Sequence, residues 1–515
     1  MTHPDDRPVL VTGATGYVGG RLVPFLLERG VRVRAVARSL DKLSCRPFAS
    51  HPRCELAQAD MLDYPALSAA LDGCRAAYYL VHSMASAGKD FAQADHDSAA
   101  NFARACAANG VERIIYLGGL GEDSDELSHH LRSRLDTARI LASGPVPVTY
   151  LRAAAILGAG SASYELLRAL VEHLPVMITP RWVRTRCQPI SIRNVLDYLA
   201  GCLEHPGTAG QTYDIGGPDI LDYERLFQLY AEVAGLPRRV IIPVPFLTPK
   251  LSSYWVQLVT PVPPSVARPL IEGLRNEVVC RDNRIRDIVP VKLQTCRETF
   301  QAARREIKDR LVPTCWADAG RVEAPEWLVC GDVPYAGGKL HEMGFKATLD
   351  APPEKVWPAV ESIGGGRGWY FANILWKIRG LADKMLGGAG LGPGRRDPQC
   401  LLKGDSLDCW RVHECDPPRE LVLLAAMKSP GEAALTLSLA PASGGRTEFT
   451  LLARFQPRGL AGQVYWHAMF LPHVLLFSGL IKGLARAAGT AVSRGPSRFT
   501  PPSSGQQCGV RGNFR

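Results

Sequence analysis

Apolar and polar positions follow two rhythms along the first 152 residues. Short apolar runs at Pro8–Thr12, Val31–Ala37, Cys54–Ala59, Ala76–Val81, Arg113–Leu117 and Val146–Leu151 have the length and composition of buried strands. Between them, apolar residues spaced three and four apart predict helices near Tyr17–Arg29, Tyr64–Leu71, Gly88–Asn109 and Ser128–Ala142. Strand and helix alternating at this spacing require parallel strands joined by right-handed crossovers. The first domain is therefore expected to be α/β, a doubly wound parallel sheet. Residues 153 to 300 are less regular, with a proline-rich stretch from Pro243 to Pro269, and predict a smaller lobe. From Phe345 the pattern changes. Ala434–Leu439 and Thr447–Phe455 alternate with period two between Gly and Pro turns, which predicts an antiparallel sheet. An apolar helical pattern from Tyr465 to Ala488 follows, making the second module α+β. The expected division is a first domain at 1–300, a linker at 301–340, a second domain at 341–490 and a disordered tail at 491–515.

The first turn carries the chemistry. Thr12-Gly13-Ala14-Thr15-Gly16-Tyr17-Val18-Gly19 follows the first strand directly and opens the first helix. Gly13 allows the tight turn, Gly16 lets backbone approach a phosphate, and Gly19 lets the helix pack closely on the sheet. A pyrophosphate then sits at the positive end of the helix, where free N–H groups point at it. In this strand–turn–helix setting the pattern is that of a dinucleotide-binding Rossmann fold, with Thr15, Tyr17 and Val18 also contributing to the cofactor site. The second strand ends in Arg38 rather than the Asp or Glu that holds a ribose 2′-hydroxyl. A guanidinium there suits a 2′-phosphate, so NADP(H) is expected in preference to NAD(H). Asp60 and Met61 after the third strand are placed at the adenine edge, and Val81 and His82 end the fourth strand beside the adenosine ribose.

Composition changes this picture little. The net charge of +10 comes from arginines spread along the chain, without an aromatic–basic ladder or a recognition helix, so no nucleic-acid partner is expected. The apolar stretch Ala468–Ile481 contains Pro472 and His473 and is shorter than the roughly 20 residues a membrane helix needs. No transmembrane segment, no signal peptide and a cytoplasmic location are therefore expected. The 14 cysteines include no Cys-x-x-Cys pair and read as buried thiols, with no metal site.

On the glycine turn, on Gln188–Val195 and on Tyr213–Pro218, residues 8 to 300 resemble the extended and atypical short-chain dehydrogenase/reductases. They are most similar to the YbjT-like, NmrA-like branch that carries a C-terminal DUF2867 domain. The segment from Phe345 to Trp357 is similar to the opening of START-like helix-grip modules, which enclose apolar ligands under a long C-terminal helix. Trp357, Trp369, Tyr370, Trp376 and Trp466 are candidates for such a cavity or for plain core.

The resemblance implies an oxidoreductase with a Tyr-x-x-x-Lys pair on the helix after the fifth strand. At that place this chain has His130 and Arg134, with the same spacing on one helix face. Imidazole titrates near 6.5, so His130 is the candidate proton donor, while Arg134 suits ribose hydroxyls. The family serine is replaced by Gly118-Gly119. Arg152 and Ile156, after the sixth strand, are the candidate substrate-side residues, with a structural role for Arg152 as the alternative. Three functions stay open: hydride transfer to a small carbonyl or hydroxyl substrate, a non-catalytic dinucleotide-binding sensor or assembly factor, or a lipid-handling protein whose C-terminal domain holds an apolar ligand.

Overall fold

The computed structural model describes residues 6–81, 91–121, 129–244, 271–273, 276–309, 312–314, 340–386, 388, 390–391, 395, 397 and 399–499. The side chains of residues 91, 92, 129, 130, 181 and 182 lie outside that description. The chain divides into two compact units, 1–319 and 320–515.

In the first unit the apolar runs become β1 (Val9–Val11), β2 (Val33–Ala37), β3 (Cys54–Gln58), β4 (Ala76–Tyr79), β5 (Arg113–Gly119) and β6 (Val148–Ala153). The crossovers are α1 (Gly19–Glu28), α2 (Leu40–Ser44), α3 (Tyr64–Leu71), α4 (Phe91–Ala108) and α5 (His129–Ala142). Two short strands, β7 (Ile156–Leu157) and β10 (Ile190–Ser191), pair in parallel beyond the sheet. The ladders of β8 (Val176–Pro180) with β13 (Val240–Val244), and of β9 (Arg186–Cys187) with β12 (Leu221–Asp222), belong to the smaller lobe. With β11 (Thr212–Ile215), the main sheet runs β11-β6-β5-β4-β1-β2-β3, all parallel.

Strand alternation splits this sheet between two cores. Val9, Val11, Tyr78 and Ile115 pack with α1 and α7 (Ile192–Glu204) on one face. Leu10, Val36, Tyr79 and Tyr116 pack with α3, α4 and α5 on the other. Each such fully buried apolar side chain contributes about 1.5–3 kcal/mol. The chain reverses its order of strand addition between β1 and β4, which makes the carboxyl ends of those two strands the topological switch point.

The smaller lobe has its own core around α6 (Ala162–His173), α8 (Tyr223–Ala234) and α9 (Cys296–Lys308). Residues 301–308 are therefore not linker. Phe300 and Ala303 of α9 are buried in that core, and a Thr295–Glu298 capping box starts the helix.

The second unit is an antiparallel sheet in the order β15-β16-β17-β18-β19-β14-β20. Its strands are β14 (His341–Leu349), β15 (Ser406–Leu407), β16 (Trp410–Asp416), β17 (Glu420–Ala425), β18 (Gly431–Ala442), β19 (Arg446–Pro457) and β20 (Val492–Phe499). Its helices are α10 (Pro353–Glu361), α11 (Asn373–Met385), α12 (Gly459–Ala468) and α13 (Phe470–Ala487).

Two expectations need correction here. The helical pattern at Tyr465–Ala488 is two helices meeting at Met469, because Pro472 has no N–H to give and its ring would collide with the carbonyl four residues back. The tail expected from 491 begins instead as a strand: β20 pairs with β14, and only residues beyond Phe499 lie outside the described chain. Trp357, Trp369 and Trp466 are buried among the core residues of this unit, with Tyr370 and Trp376 packed against them.

Candidate functional site

The glycine turn sits at the switch point. Thr12, fully buried, ties β1 to β4: its hydroxyl donates to the Tyr78 carbonyl at 2.9 Å and accepts the Leu80 N–H at 2.9 Å. Gly13 has φ +65°, and a Cβ there would lie 2.9 Å from the Leu80 carbonyl oxygen. Gly16 donates its N–H to the Gly13 carbonyl at 2.8 Å, closing the turn. Gly19 works at the turn rather than on the sheet, since a Cβ at 19 would lie 2.3 Å from the Gly13 carbonyl oxygen.

Val18 precedes α1 and no side chain caps the helix. Among the described residues no acceptor is found for the amide N–H groups of Thr15 and Val18. Uncapped amides at a helix start, approached through glycines, form an anion site, so the residues present fit a pyrophosphate.

Around the turn stand cations. Arg38, at the end of β2, is exposed, and no hydrogen bond or ion pair to its guanidinium is found among the described residues. Arg46, buried, donates from Nη2 to the Thr15 carbonyl at 3.1 Å and so braces the turn from behind. Asp60 is half-buried and accepts the Leu62 N–H at 3.0 Å, while Met61 is buried in the core under α3 and α4. Val81 lies beside the turn, 3.6 Å from where a Gly13 Cβ would be. His82 lies outside the described residues.

Arg21 is a further residue beside the turn, and its signal in the sequence is a cation on an apolar helix face. It is 8% exposed and stacks on the Tyr17 ring at 4.9 Å. It donates to the Ala159 carbonyl at 2.7 Å and to Thr314 Oγ1 at 3.0 Å, and Glu306 lies 3.6 Å away. Burial raises the Glu306 carboxyl above its usual range, with Arg21 opposing that shift. Thr314 Oγ1 in turn donates to the Tyr17 carbonyl at 2.9 Å. This hub fastens α1 to the loop after β7, so Ile156 and the turn keep one geometry.

At the end of β5 the Tyr-x-x-x-Lys replacement is partly visible. Arg134 reaches back from α5 and donates from Nη1 to the Leu117 carbonyl at 3.2 Å. His130 lies in the first turn of α5, but its side chain is outside the description. A Cβ on Gly118 would meet the Tyr150 ring at 2.7 Å and its Oη at 2.9 Å. Tyr150 stacks on Tyr116 at 5.1 Å and donates to the Gly119 carbonyl at 3.3 Å, so an aromatic ring fills the space of the family serine.

Arg152 is not free to face a substrate. Its Nε and Nη2 lie 2.7 and 2.6 Å from Asp214 Oδ1 on β11, its register partner, and Asp214 is almost wholly buried. Asp214 Oδ2 accepts the Arg281 and Asp282 N–H groups at 2.9 and 3.1 Å. The ion pair joins the edge strand to the sheet, which fits the structural alternative for Arg152.

A family model described as NAD(P)H-binding matches residues 13–171. The match takes in the glycine turn and the strands from β2 to β7. A second model, a protein of unknown function (DUF2867), matches residues 339–480.

The chain is similar to cinnamoyl-CoA reductase 1 of Arabidopsis thaliana, 30% identical over 129 residues, 24% of this chain and 36% of that protein. It is also similar to the chloroplastic divinyl chlorophyllide a 8-vinyl-reductase of Oryza sativa subsp. indica, 27% identical over 47% of this chain and 62% of the relative. The chain thus spans about a third to three-fifths of these relatives' lengths. Among solved structures, Citrobacter sp. triphenylmethane reductase complexed with NADP(H) is similar at 20% identity and TM-score 0.47, over 57% of this chain and 99% of that one.

Proposed function

We propose that the chain is an NADP(H)-preferring oxidoreductase acting on a small carbonyl or hydroxyl substrate. The observation that carries this reading is the bare turn: two amides without an acceptor among the described residues at an uncapped helix start, with the exposed Arg38 at the neighbouring strand end. Thr15, Val18 and the glycines would hold the pyrophosphate, and Arg38 a 2′-phosphate, with Arg46 adding a second cation at the same turn. Asp60, Met61, Val81 and His82 belong to the adenosine side.

When bound, the cofactor supplies the hydride. The chain's own residues orient it and move the proton. Arg134, steadied by the Leu117 carbonyl, holds the nicotinamide ribose. His130, one helical turn earlier, is the proposed proton donor, and Ile156 flanks the substrate. The likeness to two reductases supports this reading.

Fluorescence titration with NADPH and NADH tests the cofactor. NADPH oxidation across a carbonyl panel, abolished by His130→Ala, tests the chemistry.

The Tyr150 ring over Gly118 favours a second reading, a non-catalytic dinucleotide-binding sensor or assembly factor, since no hydroxyl stands there to polarise a substrate oxygen. Binding of NADPH without turnover on any substrate would select it.

A further inference from the structure

Three helices of the C-terminal unit present apolar side chains to solvent. On α11, Ile374, Ile378, Leu381 and Met385 recur four, three and four apart, a single stripe, and are 48–74% exposed. On α12, Leu460 and Val464, and on α13, Leu471 and Leu475, are spaced four apart and 60–80% exposed. Isolated exposed leucines are ordinary, but aligned stripes on neighbouring helices mark an interaction surface.

These helices are neighbours. Phe371, just ahead of α11, packs so closely on α13 that a Cβ on Gly479 would meet its ring at 2.2 Å. Arg379 of α11 also lies near enough to His473 of α13 to hold down its basicity. The chain passes from α12 to α13 at Met469.

Charge on the same helices has one sign. From Gly368 to Leu386 the cations are Lys377, Arg379 and Lys384, and the one acid, Asp383, is fully buried. There it accepts the Gly390 and Lys428 N–H groups at 2.8 and 2.7 Å. From Arg458 to Thr490 the sequence has Arg458, Lys482 and Arg486 and no Asp or Glu. Arg458 is paired with Glu432, whereas Lys377, Lys482 and Arg486 are exposed.

We propose that this face docks on the surface of a bilayer containing anionic phospholipid. Apolar stripes enter the headgroup boundary while lysines and arginines meet the anionic heads, the division of labour of interfacial helices. A second copy of the chain would set the same cations against each other, so charge complementarity favours the lipid.

The contact lies on the membrane and does not cross it. Among the described residues α13 is the one helix long and apolar enough to span, but its other face is buried in the core through Phe477, Leu480, Ile481 and Leu484. Crossing would strip that core from the sheet.

The test is co-flotation of the full-length protein with vesicles of equal parts phosphatidylcholine and phosphatidylglycerol, against phosphatidylcholine alone. The expected result is binding to the anionic vesicles only, weakened by salt. Lys377→Glu with Lys482→Glu lowers it at least about thirtyfold. Ile378→Asp with Leu471→Asp abolishes it, while circular dichroism and the melting temperature stay unchanged. No flotation with either vesicle, or binding untouched by both double variants, overturns the proposal. So does a dimer in light scattering that Ile378→Asp with Leu471→Asp dissociates, since that result assigns the face to self-association.

Discussion

Arg38 and Arg152 both end strands of the same sheet, and their surroundings give them opposite tasks. Arg38 is exposed and free of partners among the described residues, so its charge is available to a ligand. Arg38→Ala is expected to weaken NADPH about tenfold and leave NADH unchanged in parallel titrations, the loss of one charge-assisted hydrogen-bond pair. Arg152 neutralises a carboxylate that is 1% exposed. Arg152→Ala leaves that charge with only two amides, and a stability loss of about 3 kcal/mol is expected in denaturant melts, at the low end for a broken buried pair. An unchanged melt would return Arg152 to the substrate side.

His473 gives a pH signature. Burial, with Arg379 nearby, pushes its imidazole down to about 4 from 6.5. The unfolded chain therefore binds a proton that the folded one refuses. The associated stability is present above pH 6.5 and declines as pH falls toward 4, by up to about 3 kcal/mol. His473→Phe should flatten the melting temperature of the C-terminal unit across that window. An equal acid sensitivity in wild type and variant would refute the assignment.

At the scale of elements, the turn and α1 act as one piece. The space for a Gly19 side chain is taken by the Gly13 carbonyl, so Gly19→Ala forces the turn open. It is expected to abolish NADPH binding, with near-native circular dichroism as the control. The glycine pattern of this element is legible in the sequence, because each glycine answers a local backbone demand within eight residues, but the task of Gly19 is not, since its contact is the Gly13 carbonyl rather than the sheet. The parallel strands were legible for a related reason: a strand buried on both faces must be apolar throughout.

What escaped was set by partners distant in sequence. Val492–Phe499 reads as a polar Arg–Ser–Gly–Pro tail, yet it becomes β20 because β14 offers it an open edge. Ending the chain at Ala491 should lower the melting temperature of the C-terminal unit and promote association through the exposed β14 edge. Unchanged melting and solubility would show β20 to be dispensable.

At the scale of the whole molecule, the parallel sheet of the first unit and the antiparallel sheet of the second follow the hydrophobic pattern of the sequence. The sequence could not place the chemistry at the end of β5. Gly118 looked like a missing catalytic group, but the reason lies 32 residues on, in the Tyr150 ring that fills its space. Arg21 and Thr314 are 293 residues apart and still share a hydrogen bond beside the turn. Such pairs follow from the fold and carry no local signature.

The account stands on the affinity of that turn for a dinucleotide. The most direct measurement is calorimetric titration of the full-length protein with NADPH and with NADH. Saturable binding of both is predicted, with NADPH tighter and its advantage lost in Arg38→Ala. No heat from either dinucleotide at millimolar concentration would contradict the account.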